Sequence, residues 1–111
     1  KDHGFEIRMI YVLLRSAEQQ IERVAIRVSE GGHDVPRDKI VAGRQRSFEQ
    51  LVWFIDNVDM AFIYDNSTGE PQLLMSKVKD TGILWHGDLP DDLREVLLRS
   101  GIDPERAPSG L

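Results

Sequence analysis

Four arginines and one histidine hold most of the chemistry this sequence offers. Arg23 and Arg27 lie four residues apart in a stretch with helical periodicity, so they share one helix face. Arg44 and Arg46 follow in a second helical stretch, and His33 and Asp34 sit in the loop between the two. An antiparallel pair of helices joined by this short loop brings Arg27 and Arg44 near each other. Guanidiniums that converge in a chain of net charge -5 need an anion. A phosphate suits them, because the planar guanidinium fork donates two parallel hydrogen bonds to two oxygens. The same residues have an ordinary use as well, since Glu18, Glu22, Glu30 and Glu49 stand close by and helix arginines commonly pair with exposed carboxylates. A histidine after two glycines serves a loop as a hydrogen-bonding group as readily as it serves catalysis. His3, His33 and His86 show no metal-ligand spacing, and no metal site is expected.

Composition removes other chemistries. There is no cysteine, so a thiol nucleophile, a disulfide and a thiolate metal site are excluded, and a reducing cytoplasm is the expected location. The acidic balance argues against nucleic acid as a partner, because phosphate-backbone affinity rests on Lys and Arg, and Trp53 and Trp85 are not set in a basic stripe. No apolar run approaches the roughly 20 residues of a membrane span, and the start, Lys-Asp-His-Gly-Phe-Glu, lacks a signal peptide's apolar core.

The elements that must position the arginines follow from periodicity. Phe5 to Leu14 begins with alternation and becomes continuously apolar, the pattern of a strand buried on both faces as in a parallel sheet. Ser16, with Gln19 three residues on, is a capping-box start for a helix from Ala17 to Glu30 carrying Ile21, Val24, Ala25 and Val28. Gly31-Gly32 stops it. Pro36 opens a second helix, with Asp34 as its cap, and Ile40, Val41, Phe48, Leu51, Val52 and Ile55 run along it to about Asn57. Gly43 inside that helix bends it or allows a close approach. Met60–Tyr64 is a second strand, Asp65 to Gly69 a turn in which Asp65 bonds its own backbone, and Gln72–Met75 a hairpin partner. Asp88 is the expected cap of a last helix carrying Leu93, Val96 and Leu97, with Gly101 as its stop, and Asp103 to Leu111 a loose tail. Strands alternating with helices predict an α/β fold. Ile10 and Val12 lack sheet neighbours in this order. That gap, with a first residue other than Met, leads to the expectation that a further segment precedes Lys1.

Read together, the segments Ile21-Glu22-Arg23-Val24-Ala25-Ile26-Arg27-Val28, Gly31-Gly32-His33-Asp34-Val35-Pro36, Ile40 with Arg44 and Arg46, and Tyr64-Asp65-Asn66-Ser67 resemble, in order and interval, the lid region of the zeta-toxin family of P-loop kinases. The resemblance covers roughly Gly4 to Ser67. It implies the C-terminal half of a P-loop NTPase parallel-sheet fold, in strand–helix–loop–helix–strand order with a C-terminal helix, residues 1–77 forming the lid and C-terminal part and 78–111 an extension. It implies that the whole enzyme uses ATP and Mg²⁺ to phosphorylate a sugar hydroxyl, such as that of UDP-N-acetylglucosamine. Lid arginines contact the transferring phosphates in that family. Arg27 matches the first of them and Arg44 is the choice for the second, with Arg23, His33 and Arg46 as secondary phosphate contacts. Such a residue can contribute about 10³ to 10⁵ in rate.

The family's phosphate-cradling loop, Gly-x-x-x-x-Gly-Lys-Ser/Thr, is absent from this sequence. The implied partners are therefore an N-terminal half or a companion chain that bears it, a sugar-nucleotide substrate and an antitoxin, and the chain alone is expected not to turn over ATP. The alternative is a non-catalytic remnant that kept the lid and binds a partner protein such as an antitoxin, with Trp85, Leu89 and Leu93 as its docking face.

Overall fold

The structure, a computed structural model, describes residues 6–78 and 82–104. Strand β1 (Arg8–Leu13) forms where expected, but it is buried on one face and not on both, because only one of its faces is packed against the core. Leu13 is in the core with Met9 and Tyr11 against it, whereas Ile10 and Val12 on the other face are 70% and 57% exposed. Helix α1 (Ala17–Ser29) starts at Ser16, whose Oγ accepts the Gln19 N–H at 3.2 Å. Such a cap is worth about 1 kcal/mol. The Gln19 side chain reaches past Ser16 to accept the Arg15 N–H at 2.9 Å. The helix ends where Gly32 N–H reaches Arg27 O at 2.7 Å and Gly31 N–H reaches Val28 O at 3.0 Å. Both glycines are required for this stop: Gly31 has φ +99, and a Cβ on Gly32 would lie 2.9 Å from Arg27 O.

Helix α2 (Arg37–Asn57) follows Pro36, which occupies the cap position itself. Asp34 does not cap it; no side chain does, and Asp34 is exposed. Ile40, Arg44, Phe48, Leu51, Val52 and Ile55 are buried, one stripe at spacings of three and four. Gly43 has no atom within 4 Å of where a Cβ would stand, so it makes no close approach and leaves open space.

Strand β2 (Met60–Asp65) pairs parallel to β1, from Arg8↔Met60 to Leu13↔Asp65. The turn after Asp65 is too short for a crossover, so β3 (Gln72–Val78) returns antiparallel, and β4 (Gly82–Trp85) pairs antiparallel to β3. The fold is α/β, but the sheet is mixed, not parallel as expected: four strands in the order β1-β2-β3-β4 with only the first pair parallel. β1 stands at one edge.

Helix α3 (Asp91–Arg99) starts after Pro90, and Asp88 is not its cap. The Asp88 carbonyl instead accepts a bond from Arg15 Nη2 at 2.5 Å. Gly101, φ +86, stops the helix as predicted, with Ile102 N–H on Leu97 O at 2.9 Å. Leu93 and Leu97 are fully buried with Leu51, Ile55, Ile63 and Met75, and Leu89 joins them. Residues expected as an extension thus add a strand and a helix to the common core. The proposed docking face dissolves for the same reason, since Leu89 and Leu93 are core residues and Trp85 packs against them. The tail expected from Asp103 lies beyond the described residues after Pro104. No helix among the described residues is long and apolar enough to cross a membrane.

Candidate functional site

Residues 20, 23, 24 and 27 share one face of α1 at spacings of three and four, and residues 40, 44 and 48 share one face of α2 at spacings of four. The hairpin turns these faces toward each other and toward the C-terminal end of β1. A cleft of about 520 Å³ results. Tyr11 to Leu14 line it from β1, Gln20, Arg23, Val24 and Arg27 from α1, and Lys39, Ile40, Gly43, Arg44, Ser47 and Phe48 from α2. The missing side chain of Gly43 is part of this space. The Tyr11 and Ser47 hydroxyls meet within it at 2.5 Å. Among the described residues, four cationic side chains line the cleft and no acidic one does.

The cations are not equivalent. Arg44 is 5% exposed. Its Nε donates to Asp92 Oδ2 at 2.6 Å and its Nη2 to Asp92 Oδ1 at 3.2 Å, a two-pronged bond. Its Nη1 donates to Leu14 O at 2.8 Å and to Gln20 Oε1 at 2.7 Å. Its guanidinium also lies 4.6 Å from the centre of the Phe48 ring. Arg44 therefore ties the end of β1, α1, α2 and α3 together, and its charge is met within the chain. Arg27 and Lys39 are exposed and make no ion pair among the described residues. Arg23 is exposed and makes one long bond, Nη2 to Asn66 O at 3.4 Å.

The structure brings Arg23, Arg27 and Arg44 into one cleft, as the hairpin argument anticipated. His33 and Arg46 are exposed and line no part of it. Arg46 sits two residues beyond Arg44, about 200° further round a helix of 3.6 residues per turn, which carries it to the opposite face. Lys39 was missed. The available signal was its place one residue before Ile40 on the stripe edge, a turn before Gly43. The Arg44–Asp92 pair had no local signal, because it spans 48 positions.

A second polar cluster, also missed, lies past the ends of β1 and β2. Asp65 is buried and does bond its own turn, accepting from the Ser67 amide at 2.9 Å and from the Ser67 hydroxyl. It also accepts from Arg15 Nη1 at 3.1 Å. Burial alone raises the pKa of this carboxyl, but the Ser67 hydroxyl, the Ser67 amide and Arg15 together outweigh it and hold the pKa below its ordinary value. These groups border a cleft of about 500 Å³ with Gln72 and His86, and His86 Nε2 meets Ser76 Oγ at 2.8 Å.

Compared with protein-family models, with curated proteins and with solved structures, the chain matches none.

The donor set of the basic cleft fits a polyanion. Exposed Arg23, Arg27 and Lys39 border it, and its apolar wall of Val24, Ile40 and Phe48 lowers the local dielectric, which strengthens charge–charge attraction. It does not fit a divalent cation, since no carboxylate faces the cleft and no group of His, Asp and Glu with metal-binding geometry occurs among the described residues.

Proposed function

We propose that this chain is the lid-bearing half of an ATP-dependent small-molecule kinase that transfers a phosphoryl group to a sugar hydroxyl, such as that of UDP-N-acetylglucosamine. The observation that supports this reading is the basic cleft itself: in a chain of net charge -5, Arg23, Arg27 and Lys39 converge with no acidic neighbour in the lining among the described residues. In the transfer, the acceptor oxygen bonds to the γ-phosphorus as the bond from that phosphorus to the β–γ bridging oxygen breaks, and that electron pair leaves with ADP. Charge spreads over the equatorial oxygens, where donors already in position stabilise it most. Arg27 is the first such donor, with Arg23 and Lys39 beside it. Arg44, the second expected phosphate contact, acts through position: it anchors the cleft's inner wall. No carboxylate among the described residues lines the cleft, so no base for the acceptor's proton is assigned within it. The Mg²⁺ implied by the family resemblance finds no carboxylate here either, and no step is assigned to it.

The loose seating of the outer wall also supports a lid. Helix α1 has no fully buried residue, and a gap of about 220 Å³ separates Ile21, Val24 and Ala25 from the start of α2. Few buried contacts mean a low local opening free energy, and a helix that closes over a phosphate excludes water as it completes the site.

Titration of the chain with inorganic triphosphate, followed by calorimetry, tests the reading. Arg27→Ala is expected to weaken binding about tenfold, the low end of the roughly 1.5–3 kcal/mol of one charge-assisted hydrogen bond because the site is open to solvent, and Arg46→Ala to leave it unchanged. Equal affinity in the two variants would remove the assignment. In a preparation that includes the phosphate-binding loop, Arg27→Ala should lower kcat by about 10³ without loss of folding.

One observation favours the second reading, a non-catalytic module that binds a partner such as an antitoxin: Arg44 already has its own carboxylate in Asp92. On that reading the triphosphate titration shows no saturable binding.

A further inference from the structure

Beside its buried stripe, helix α2 turns a second row of residues into the basic cleft. Lys39, Gly43 and Ser47 recur at every fourth position, and all three line it. They span about 12 Å of helix axis. The α1–α2 hairpin puts Arg27 and Lys39 at the loop end of the cleft. Gln20, which accepts from Arg44, and Ser47, which meets Tyr11, stand at the sheet end. The two ends differ in kind. The loop end carries exposed cations. The sheet end carries neutral donors. The Tyr11 and Ser47 hydroxyls hold two protons and their mutual bond uses one, so one O–H is left to donate. The Gln20 oxygen is taken by Arg44, and its NH2 group makes no hydrogen bond among the described residues. Between the ends lies a gap. Gly43 has no atom within 4 Å of a Cβ position, although glycine inside a helix costs stability relative to alanine. Aliphatic Val24 and Ile40 wall the space it leaves. Phe48 is 1% exposed, with the Arg44 guanidinium 4.6 Å from its ring centre.

We propose that the cleft binds a sugar phosphate, its phosphate on Arg27 and Lys39, its ring in the Gly43 gap and a ring hydroxyl on the Tyr11–Ser47 pair, and that Gly43 sets which ring is admitted. A sugar ring has aliphatic C–H faces to meet Val24 and Ile40, and hydroxyls on its rim to meet neutral donors. A flat base would need an aromatic face to stack on, and that of Phe48 is covered by Arg44. The cleft volume of about 520 Å³ suits a small molecule of this size. The inference rests on the reading of the cleft as a phosphate site and deepens it. In phosphoryl transfer to a sugar hydroxyl, the sugar phosphate is the product, still held by the cations through the group it received.

Calorimetry of the chain with glucose 6-phosphate, inorganic phosphate and inorganic triphosphate tests it. Glucose 6-phosphate should bind about tenfold tighter than inorganic phosphate, through one added hydrogen bond and the buried ring. Gly43→Leu fills the gap and should bring the ratio of those two affinities to about one. This variant should melt no lower than the wild type, because its side chain meets open space and leucine favours a helix over glycine. Its loss of preference then reads as a filled gap and not as unfolding. Ser47→Ala and Tyr11→Phe should each lower the same ratio about threefold to tenfold, the worth of one neutral hydrogen bond. A triphosphate titration without saturation would overturn the phosphate reading and this inference together. Saturable triphosphate binding with no preference for glucose 6-phosphate over inorganic phosphate would overturn this inference alone. So would a preference that Gly43→Leu retains, or adenosine monophosphate binding tighter than glucose 6-phosphate.

Discussion

The two walls of the basic cleft carry the same charge and are built to different standards. On α2, Arg44 is buried and held by Asp92, Gln20 and the Leu14 carbonyl, in a helix with six buried positions. On α1, Arg23 and Arg27 stand exposed on a helix with none. The contrast shows that a basic residue on a cleft wall is not thereby a ligand contact. A guanidinium whose N–H groups are already taken has less to offer a phosphate, and one whose groups face solvent has nearly all. It also separates stability from function: removing a held arginine should destabilise the protein markedly, and removing an exposed one should not.

Arg44→Ala offers the strongest way to break this contrast. It leaves Asp92, Gln20 and the Leu14 carbonyl without their donor, and should cost about 3 kcal/mol, the low end for a broken buried pair because the Asp92 side chain is 41% exposed. Chemical denaturation checks it, and a loss below about 0.5 kcal/mol, the range of an ordinary surface substitution, would show that Arg44 is no anchor. Arg44→Lys should recover little, because an ammonium cannot span the two Asp92 oxygens and the Leu14 carbonyl together.

Gly32→Ala comes next. Its Cβ would stand 2.9 Å from Arg27 O, and the helix stop must shift, at about 1–2 kcal/mol. This variant sharpens the contrast from the α1 side, because the same shift moves the backbone that holds Arg27. Triphosphate binding should therefore fall along with thermal stability.

The pH dependence is a smaller effect. Asp65 has its pKa lowered in the folded chain, so its contribution is present above the unfolded carboxyl pKa and is lost as pH falls through the folded value. Stability should decline below about pH 4, near the ordinary aspartate value, and Asp65→Asn should flatten that limb while costing about 1 kcal/mol at neutral pH. Melting curves at stepped pH check both. The smallest effect belongs to Arg27→Ala, whose stability change should stay within about 0.5 kcal/mol.

Much of the fold was legible in the sequence because its signals are local. Ser16 with Gln19, the Gly31-Gly32 stop, the α2 stripe and the Gly101 stop act over a few residues of backbone, and the three helices formed where their periodicity placed them, whereas β4 was not anticipated. The caps assigned to Asp34 and Asp88 failed because Pro36 and Pro90 stand at the cap positions themselves. The meeting of Arg23, Arg27 and Arg44 in one cleft was also legible, since helix faces follow from spacing and a short loop forces the two helices together.

Other features depended on partners far along the chain. Whether Arg44 meets a phosphate or a carboxylate turned on Asp92, 48 residues away and brought near only when α3 packs on α2. Whether Trp85, Leu89 and Leu93 face a partner or the core turned on β4 extending the sheet. An apolar residue or a guanidinium looks the same in a sequence wherever it ends up, because its type states what it needs and not which neighbour meets the need. Local backbone hydrogen bonding set the helices, strands and stops; packing between elements distant in the chain decided which arginines are occupied.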